Sequence, residues 1–429
     1  MNVVLIQPPS ESQSSKVPPL GLAYIAAVLK RNDIKTKIVD LNVENINFNN
    51  YLTNEKPDII GISSIITNAR KALQIVEQTK NVLPESFVVM GGPYPSIMRD
   101  RLLTKHNEVD ATIVGEAEYA FLELAKNLHN RRSIENVDGL IFRKQNIVKS
   151  NNQSKPITPL DALPFPAREE LRMPLYGENA GAIFTSRGCP QQCIFCSRPI
   201  FGRIWRGHSP DFVLKEIEHS IMEYGVTTLS VLDDNFTVDM DRAEKILDRI
   251  KIKKWGLKIY FWNGLRADHV TQKLVTKLKN AGCSAINFGV ESVNPDVVSF
   301  IRKCVTLEQI ENAISLTQKA GIKANVFLMI GNPGDTIHSA DKIIDFVERV
   351  HVDGVHLSMA TPIFGTMFWD WVKKNGHWLD YDLNELQDWP IDDIASAYPV
   401  FETADFTANE RAEAYQKTRN FLEKKGLII

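Results

Sequence analysis

The sequence predicts a two-part α/β protein: a doubly wound parallel sheet, then a partial barrel of six β/α units, then a small, mostly helical C-terminal segment. Three observations carry this. Short β-branched runs alternate with helical patterns from Met1 to about Arg132, the stretch Ser133 to Leu171 breaks the pattern with prolines, and the alternation resumes with a longer period from Gly181. Strands separated by helices of this length call for right-handed crossovers and parallel pairing.

In the first part, strands are expected at Val3–Gln7, Lys35–Asp40, Ile59–Ser63, Phe87–Met90 and Ala111–Val114, with helices at Leu20–Arg31, Thr67–Val82 and Tyr119–Asn130. Pro156, Pro159, Pro164 and Pro166 read as a linker, which sets boundaries of 1–132, 133–175, 176–362 and 363–429 for the successive segments. In the second part, strands are expected at Ala182–Thr185, Thr228–Leu232, Lys258–Phe261, Ala285–Val290, Ala324–Ile330 and Gly354–Met359. Ser209 before Pro210 marks an N-cap, and Thr306 with Gln309 a capping box. Leu307, Ile310, Ile314 and Thr317 then share one helix face. After Thr361 come the aromatic residues Phe368, Trp369, Trp371 and Trp378, the acidic stretch Asp380 to Asp393, and a last helix from Thr407 capped by Glu410.

Composition narrows the class. Of 429 residues, 44% are hydrophobic and 24% charged, the balance of a chain with a large core rather than a disordered one. The formal net charge of −2 offers no electrostatic reason to expect nucleic acid or an anionic membrane as partner. Apolar runs such as Leu20 to Leu29 fall short of a bilayer span, and Asn2 to Gln7 begins a strand where a secretory leader would lie. A cytoplasmic location is expected, and the cysteines agree, because none occurs before Cys189 and three crowd into Cys189 to Cys196.

That crowding is the strongest chemical signal: Cys189-Pro-Gln-Gln-Cys193-Ile-Phe-Cys196, directly after the first strand of the second part. Soft sulfur donors select zinc or iron–sulfur. Structural zinc wants four ligands, and the nearest fourth is His208, beyond a Pro/Gly-rich loop. Three cysteines on a [4Fe-4S] cluster leave one iron open.

Spacing, the aromatic Phe195 before the third cysteine and the strand-then-loop context together resemble the radical S-adenosylmethionine (SAM) superfamily. The resemblance implies a partial (β/α)6 TIM-type barrel in which Cys189, Cys193 and Cys196 hold the cluster. SAM chelates the open iron, and electron transfer splits it into methionine and a 5′-deoxyadenosyl radical. Leu232-Asp233-Asp234-Asn235-Phe236 stands where the family binds the SAM amino group, so Asp233 and Asp234 are candidates, against an acidic turn that caps the next helix. Glu291 and Ser292 are candidates for the ribose, Phe195 for SAM packing and Gly331, in Ile330-Gly-Asn-Pro-Gly334, for the turn near adenine. Arg302 or Lys303 facing the SAM carboxylate competes with solvated surface charge, which is favoured.

Gln7-Pro-Pro9, Pro18-Pro-Leu-Gly-Leu-Ala23, Gly61-Ile-Ser-Ser64, Gly91-Gly-Pro-Tyr-Pro95 and Gly115-Glu-Ala-Glu118 resemble the Rossmann-like cobalamin-binding (B12) domain that precedes this barrel in one subfamily, and Leu163-Pro-Phe-Pro166 fits the same group. Ser63, Ser64, Thr67, Gly91, Gly92, Tyr94 and Gly115 are its candidate contacts. The first 105 residues contain no histidine, so cobalamin would bind without the lower axial ligand that other cobalamin domains supply. The resemblance implies a cobalamin-dependent enzyme that methylates an unactivated carbon of a small-molecule or lipid-like substrate and takes electrons from a donor such as flavodoxin or ferredoxin. Cyclisation or carbon–carbon coupling without methyl transfer, and a non-catalytic redox or corrinoid sensor, remain as alternatives. No residue is assigned as catalytic. Cys283 and Cys304 read as small buried hydrophobes, and the tryptophans as packing.

Overall fold

In a computed structural model, which describes residues 1–10, 16–379 and 398–429, the contacts divide the chain into two units. The first comprises Met1–Ala182 with Arg198–Val226, and the second Ile183–Ser197 with Thr227–Ile429. The acidic stretch from Asp380 to Asp393 lies outside the described residues.

The first unit is built on one seven-stranded sheet. Its strands are β1 (Asn2–Gln7), β2 (Lys35–Asp40), β3 (Ile59–Ser63), β4 (Phe87–Gly91), β5 (Ala111–Ile113), β6 (Leu140–Lys144) and β7 (Ile147–Ser150), in the order β2-β1-β3-β4-β5-β6-β7. The first five pair in parallel, and their apolar continuity follows from burial on both faces: Val3, Val4, Leu5 and Ile6 are all fully buried. The Leu20–Lys30 helix buries nine of its residues, so it reads as a continuous apolar run rather than a stripe. β6 and β7 differ from the expected linker. They form an antiparallel hairpin on the edge of the sheet, turned at Gln145 and Asn146, both with positive φ.

Two buried polar clusters brace this unit. Arg168 and Glu216, each about 1% exposed, pair at 2.8 Å, Arg168 also donates to the Ala182 carbonyl at 2.7 Å, and the Tyr24 hydroxyl reaches Glu216 at 3.5 Å. The Tyr176 hydroxyl donates to Asp40 at 2.7 Å. Burial pushes the Asp40 carboxyl up to about 6, although its hydrogen bonds from Tyr176 and Asn42 work the other way. A carboxyl whose folded value lies above its unfolded one binds more protons when folded, so its contribution is fully present below the unfolded value and is lost as pH rises through about 6. Asp40→Asn is therefore expected to flatten the fall in stability between about pH 4 and pH 6, read as urea midpoints of the two proteins across that range.

The second unit carries the six barrel strands: β8 (Gly181–Ile183, which begins in the first unit), β11 (Thr228–Val231), β12 (Lys258–Phe261), β13 (Ala285–Glu291), β14 (Lys323–Ile330) and β15 (Gly354–Met359). The two-residue strands β9 (Ser186–Arg187) and β10 (Arg206–Gly207) lie between β8 and β11 in the chain. The barrel strands run as two three-stranded sheets, β12-β11-β8 and β13-β14-β15, joined by the parallel bridges Ile259 to Cys283 and Leu265 to Phe288. The caps form as expected: Ser209 accepts from the Phe212 amide in the first unit, and Thr306 and Gln309 exchange both capping bonds. Ile310, Ile314 and Thr317 are buried, while Leu307 is only half-buried. The antiparallel pair of β16 (Gly376–Trp378) and β17 (Phe401–Thr403) lies where Trp369 packs on Trp378 at 4.5 Å and Phe368 on Phe401 at 5.6 Å. These aromatics are core.

The closing helix, Ala408–Lys425, starts in a Thr407–Glu410 capping box. Its Arg411, 1% exposed, lies 4.1 Å from the Phe401 ring centre and donates to the Gly331 carbonyl at 2.8 Å. Burial lowers this guanidinium to about 10, which leaves it charged. No helix among the described residues is long and apolar enough to cross a membrane.

Candidate functional site

The cysteine loop is set by backbone geometry on both sides. Gly188 has φ +84°, a left-handed value that suits glycine, and its amide donates to the Asp234 carboxylate at 3.1 Å. Further along, the Ile194 amide donates to the Ile301 carbonyl and the Ile194 carbonyl accepts from the Phe368 amide, both at 3.1 Å. Between these pins Cys189 is half-buried and Cys193 buried, while Cys196, just beyond them, is exposed; the Asn235 amide group lies 3.9 Å from the Cys189 sulfur.

The loop has a charged partner that sequence reading set aside. Lys303, expected as a solvated residue, has a side chain only 14% exposed; it pairs with Glu291 at 2.8 Å and lies 6.0 Å from the Phe195 ring centre. Burial pushes the Cys193 thiol up, and Lys303 is the first group that pulls it back. Burial also works against the Lys303 ammonium, but Glu291 and Cys193 outweigh it and hold Lys303 above the usual lysine range. The local backbone is shaped for this pair: Glu291 has φ +65°, β13 shifts register between Gly289 and Glu291, and a Cβ at Gly289 would run into both side chains. Arg266 donates to the Lys303 and Cys304 carbonyls at 3.4 and 3.2 Å, so the cationic corner is built from two elements.

The other candidates separate. Asp233 is 3% exposed and inside the fold, where it accepts from the Thr185 amide at 2.6 Å, the Thr185 hydroxyl at 2.5 Å and the Ser186 hydroxyl at 2.6 Å. Burial raises its carboxyl, against the pull of Arg242 and these donors. Asp234 is exposed. Ser292 is buried, and its hydroxyl accepts from the Asn294 amide at 3.2 Å. Gly331, φ +100°, donates its amide to Asp335 at 3.0 Å, which locks the turn after β14. Cys283 is buried, and its thiol is pushed up to about 12 by that burial. Cys304, expected to be buried, is exposed at a residue with φ +54°.

One face of β13, β14 and β15 is packed incompletely. Asn287 and Gly289, then Asn325, Phe327 and Met329, then His356 are half-buried, whereas Ile286, Phe288, Val290, Val326 and Leu328 on the opposite face are buried. Asn325 donates to Asn287 at 3.1 Å, and the His356 ring stacks on Phe327 at 4.8 Å. Burial lowers His356 below the usual imidazole range, which leaves it neutral at pH 7. Sequence reading missed this face, although the alternation in Lys323–Ile330 carries its signal.

In the first unit the expected cobalamin contacts gather at the carboxyl ends of the adjacent strands β3, β4 and β5. A Cβ at Gly91 would meet only the Ile113 carbonyl, at 4.0 Å, so the shelf admits a flat ligand close to the backbone. Gly92, φ +96°, admits no Cβ, which would fall 2.7 Å from the Ser64 carbonyl. Ser63 and Thr67 are half-buried beside it. Ser64 is buried and donates to the Ile65 carbonyl at 3.2 Å; Tyr94 is 4% exposed, its hydroxyl pushed up to about 12 by burial. Those two side chains shape the shelf from within.

The residues fit the expected cofactors in donor chemistry: three thiols on one pinned loop beside a cation for an iron–sulfur cluster, and a glycine shelf for a corrin. Among the described residues no three His, Cys, Asp or Glu side chains gather as around a single ion. A cluster spaces its ligand sulfurs along its edges, further apart than one ion does. His208 is committed elsewhere, its Nδ1 3.0 Å from Asp161 and its ring stacked on Phe212 at 4.1 Å.

Family comparison agrees with this geometry. Residues 11–125 match the B12 binding domain, and residues 183–347 match the radical SAM superfamily. An uncharacterized methyltransferase of Pyrococcus horikoshii is 32% identical over 442 aligned positions, covering 100% of this chain and 94% of its own. Hopanoid C-3 methylase of Methylococcus capsulatus is 27% identical, covering 87% of this chain and 72% of its own. Among solved structures, the radical SAM methyltransferase TsrM of Kitasatospora setae shares the fold with a TM-score of 0.76 at 17% identity, over 89% of this chain and 79% of that one. The chain therefore belongs to the radical SAM superfamily, as one of its enzymes with a B12-binding domain, whose cofactors are a [4Fe-4S] cluster, SAM and cobalamin.

Proposed function

We propose that the protein methylates an unactivated carbon of a small-molecule or lipid-like substrate. The observation that carries this is the three-cysteine loop beside the Lys303–Glu291 pair, in a chain that also holds a histidine-free glycine shelf of the B12-binding type. When bound, the cluster and SAM supply hydrogen abstraction through a 5′-deoxyadenosyl radical, and cobalamin supplies the methyl carrier.

The chain's own residues bind and orient. Cys189, Cys193 and Cys196 are the proposed cluster ligands, with Phe195 packed between the loop and the Lys303 ammonium. Lys303 meets the carboxylate of SAM, and Glu291, held by Lys303, accepts from its ribose hydroxyls. Exposed Asp234 receives the SAM amino group, while buried Asp233 fixes the strand end that presents it. The half-buried face with Phe327, Met329 and neutral His356 lines the space where a substrate carbon is placed. The methylase names of relatives, one of which acts on a hopanoid, support methyl transfer and an apolar substrate. The electron donor is proposed to be a small reductant of the flavodoxin or ferredoxin kind, and the location cytoplasmic.

The test is an anaerobic incubation of reconstituted, cobalamin-loaded protein with reductant, methyl-deuterated SAM and a panel of apolar acceptors. The expected result is a product heavier by one labelled methyl group together with 5′-deoxyadenosine. Turnover of SAM to 5′-deoxyadenosine with an unmethylated, cyclised or coupled product would replace methylation by another radical outcome.

A further inference from the structure

Within the second unit, the amino ends of β12, β13 and β14 carry a one-sided surface. Three turns lead into these strands: residues 254–257 after the Met240–Lys253 helix, 282–284 after the Gln272–Ala281 helix, and 320–322 after the Leu307–Lys319 helix. The residues that this unit supplies to the cluster and to SAM lie at or beyond the opposite, carboxyl ends of their strands.

The three turns adjoin one another. The Ile259 amide donates to the Gly282 carbonyl at 3.1 Å, and the Lys323 amide to the Ser284 carbonyl at 2.9 Å. Gly282, φ +106°, has no room for a Cβ, which would fall 2.0 Å from the Leu257 carbonyl oxygen, so the first two turns meet backbone to backbone. The Lys279 ammonium donates to the Gly321 carbonyl at 2.5 Å and ties the second helix end to the third turn.

The surface they form is cationic. Lys251, Lys254, Lys258, Lys279, Lys319 and Lys323 are all exposed. Residues 249–258, 277–285 and 317–325 contain no Asp or Glu. Among the described residues no carboxylate pairs with Lys251, Lys254, Lys258, Lys319 or Lys323. The neighbouring carboxylates are engaged: Glu244 by Lys273 at 2.5 Å, Asp248 by Lys277, and Asp353 by the Ala324 amide at 2.8 Å and the Gln318 side chain at 3.1 Å. Of these only Asp353 lacks a lysine, which leaves the surface strongly positive on a chain whose formal charge is −2.

Helix dipoles account for part of this, because cations suit helix C-termini and Lys251, Lys279 and Lys319 stand there. They do not account for Lys258 and Lys323, the first residues of β12 and β14, nor for the apolar side chain beside them. Ile252 is 73% exposed. It stands two positions past Ile250, the last buried residue of its helix, and is therefore turned roughly 200° from the packed face. Trp255, half-buried in the adjoining turn, has the Lys253 ammonium 5.4 Å from its ring centre.

An exposed aliphatic side chain and a tryptophan set among lysines match the layers of a lipid surface: phosphates attract the ammonium groups, and the interfacial region takes the apolar side chain and the indole. A nucleic acid would use the lysines and leave Ile252 without a role. From this we infer that this end of the barrel docks the protein peripherally on an anionic lipid surface. Docking there covers none of the residues that the second unit supplies to the cluster or to SAM. The inference does not depend on methyl transfer.

Co-sedimentation of the full-length protein with vesicles tests it. Vesicles of phosphatidylcholine with about 30% phosphatidylglycerol are expected to bind the protein at least tenfold more tightly than phosphatidylcholine alone, with the preference shrinking as salt rises from about 0.1 to 0.5 M. Lys251→Gln/Lys254→Gln/Lys258→Gln, altered at three exposed positions, is expected to lose that preference at least tenfold, while Lys251→Arg/Lys254→Arg/Lys258→Arg keeps it. Ile252→Ser is expected to weaken binding to the anionic vesicles by about threefold. Equal binding to the two kinds of vesicle, or an unchanged preference in the Gln variant, overturns the inference. So does an unaltered vesicle affinity in Ile252→Ser together with binding of a labelled RNA oligonucleotide that the Gln variant loses, because the lysines would then serve a polyanion with no apolar contact.

Discussion

Arg168→Ala is expected to lower the stability of the protein by about 3–5 kcal/mol, the range for stripping the partner from a buried charge. Arg168 and Glu216 are almost completely enclosed, and after the substitution Glu216 retains only the long contact from the Tyr24 hydroxyl at 3.5 Å. Burial already raises this carboxyl, with Arg168 the first force that opposes it. Without the arginine the folded carboxyl rises further above its unfolded value. Its penalty is then absent at low pH and grows as pH rises through the folded value, so the variant is destabilised more at pH 8 than at pH 5. Guanidinium denaturation at the two pH values reads both effects. Arg168→Met/Glu216→Met, which removes both charges, is expected to recover much of the loss.

Lys303→Met is expected to have the second large effect, on chemistry rather than on stability. The substitution leaves the Glu291 carboxylate without its cation beside the cysteine loop. Negative charge there opposes both the electron that the cluster must accept and the carboxylate of SAM. SAM binding is expected to weaken by roughly 100-fold, the scale of one lost charge-assisted contact together with the repulsion it uncovers. The cluster potential, followed by electron paramagnetic resonance under potentiometric control, is expected to move negative. Lys303→Arg should restore much of both. Unchanged SAM affinity and potential in Lys303→Met would return the residue to the solvated role that its sequence position suggests.

The parts of the protein that could be read from its sequence are those in which local pattern and tertiary need agree. The five parallel strands of the first unit are continuous β-branched runs because both of their faces are covered, and the caps at Ser209, Thr306 and Thr407 are local hydrogen bonds with local signatures. β6 and β7 were hidden because Gln145-Asn146 makes the positive-φ turn without glycine, and the flanking strand Ile147–Ser150 is largely exposed. The cysteine loop was legible because three sulfurs so closely spaced have few other uses. Lys303 was not, because its partner Glu291 lies on another element and only the bulge in β13 brings them together. Asp233 and Asp234 are neighbours of the same chemical type in the turn after β11, and only the backbone path of that turn sends one into the fold and leaves the other exposed. The half-buried row across Gly289, Phe327 and His356 depends on register between three strands, which no single segment encodes.

Iron and sulfide analysis of anaerobically reconstituted protein, combined with an assay for 5′-deoxyadenosine under reduction, tests the cysteine loop most directly. The expected result is about four irons and four sulfides per chain with release of 5′-deoxyadenosine, both lost in a Cys189→Ala/Cys193→Ala/Cys196→Ala variant. Zinc in place of iron, or 5′-deoxyadenosine still released by that triple variant, would contradict the assignment of these sulfurs to a cluster that cleaves SAM.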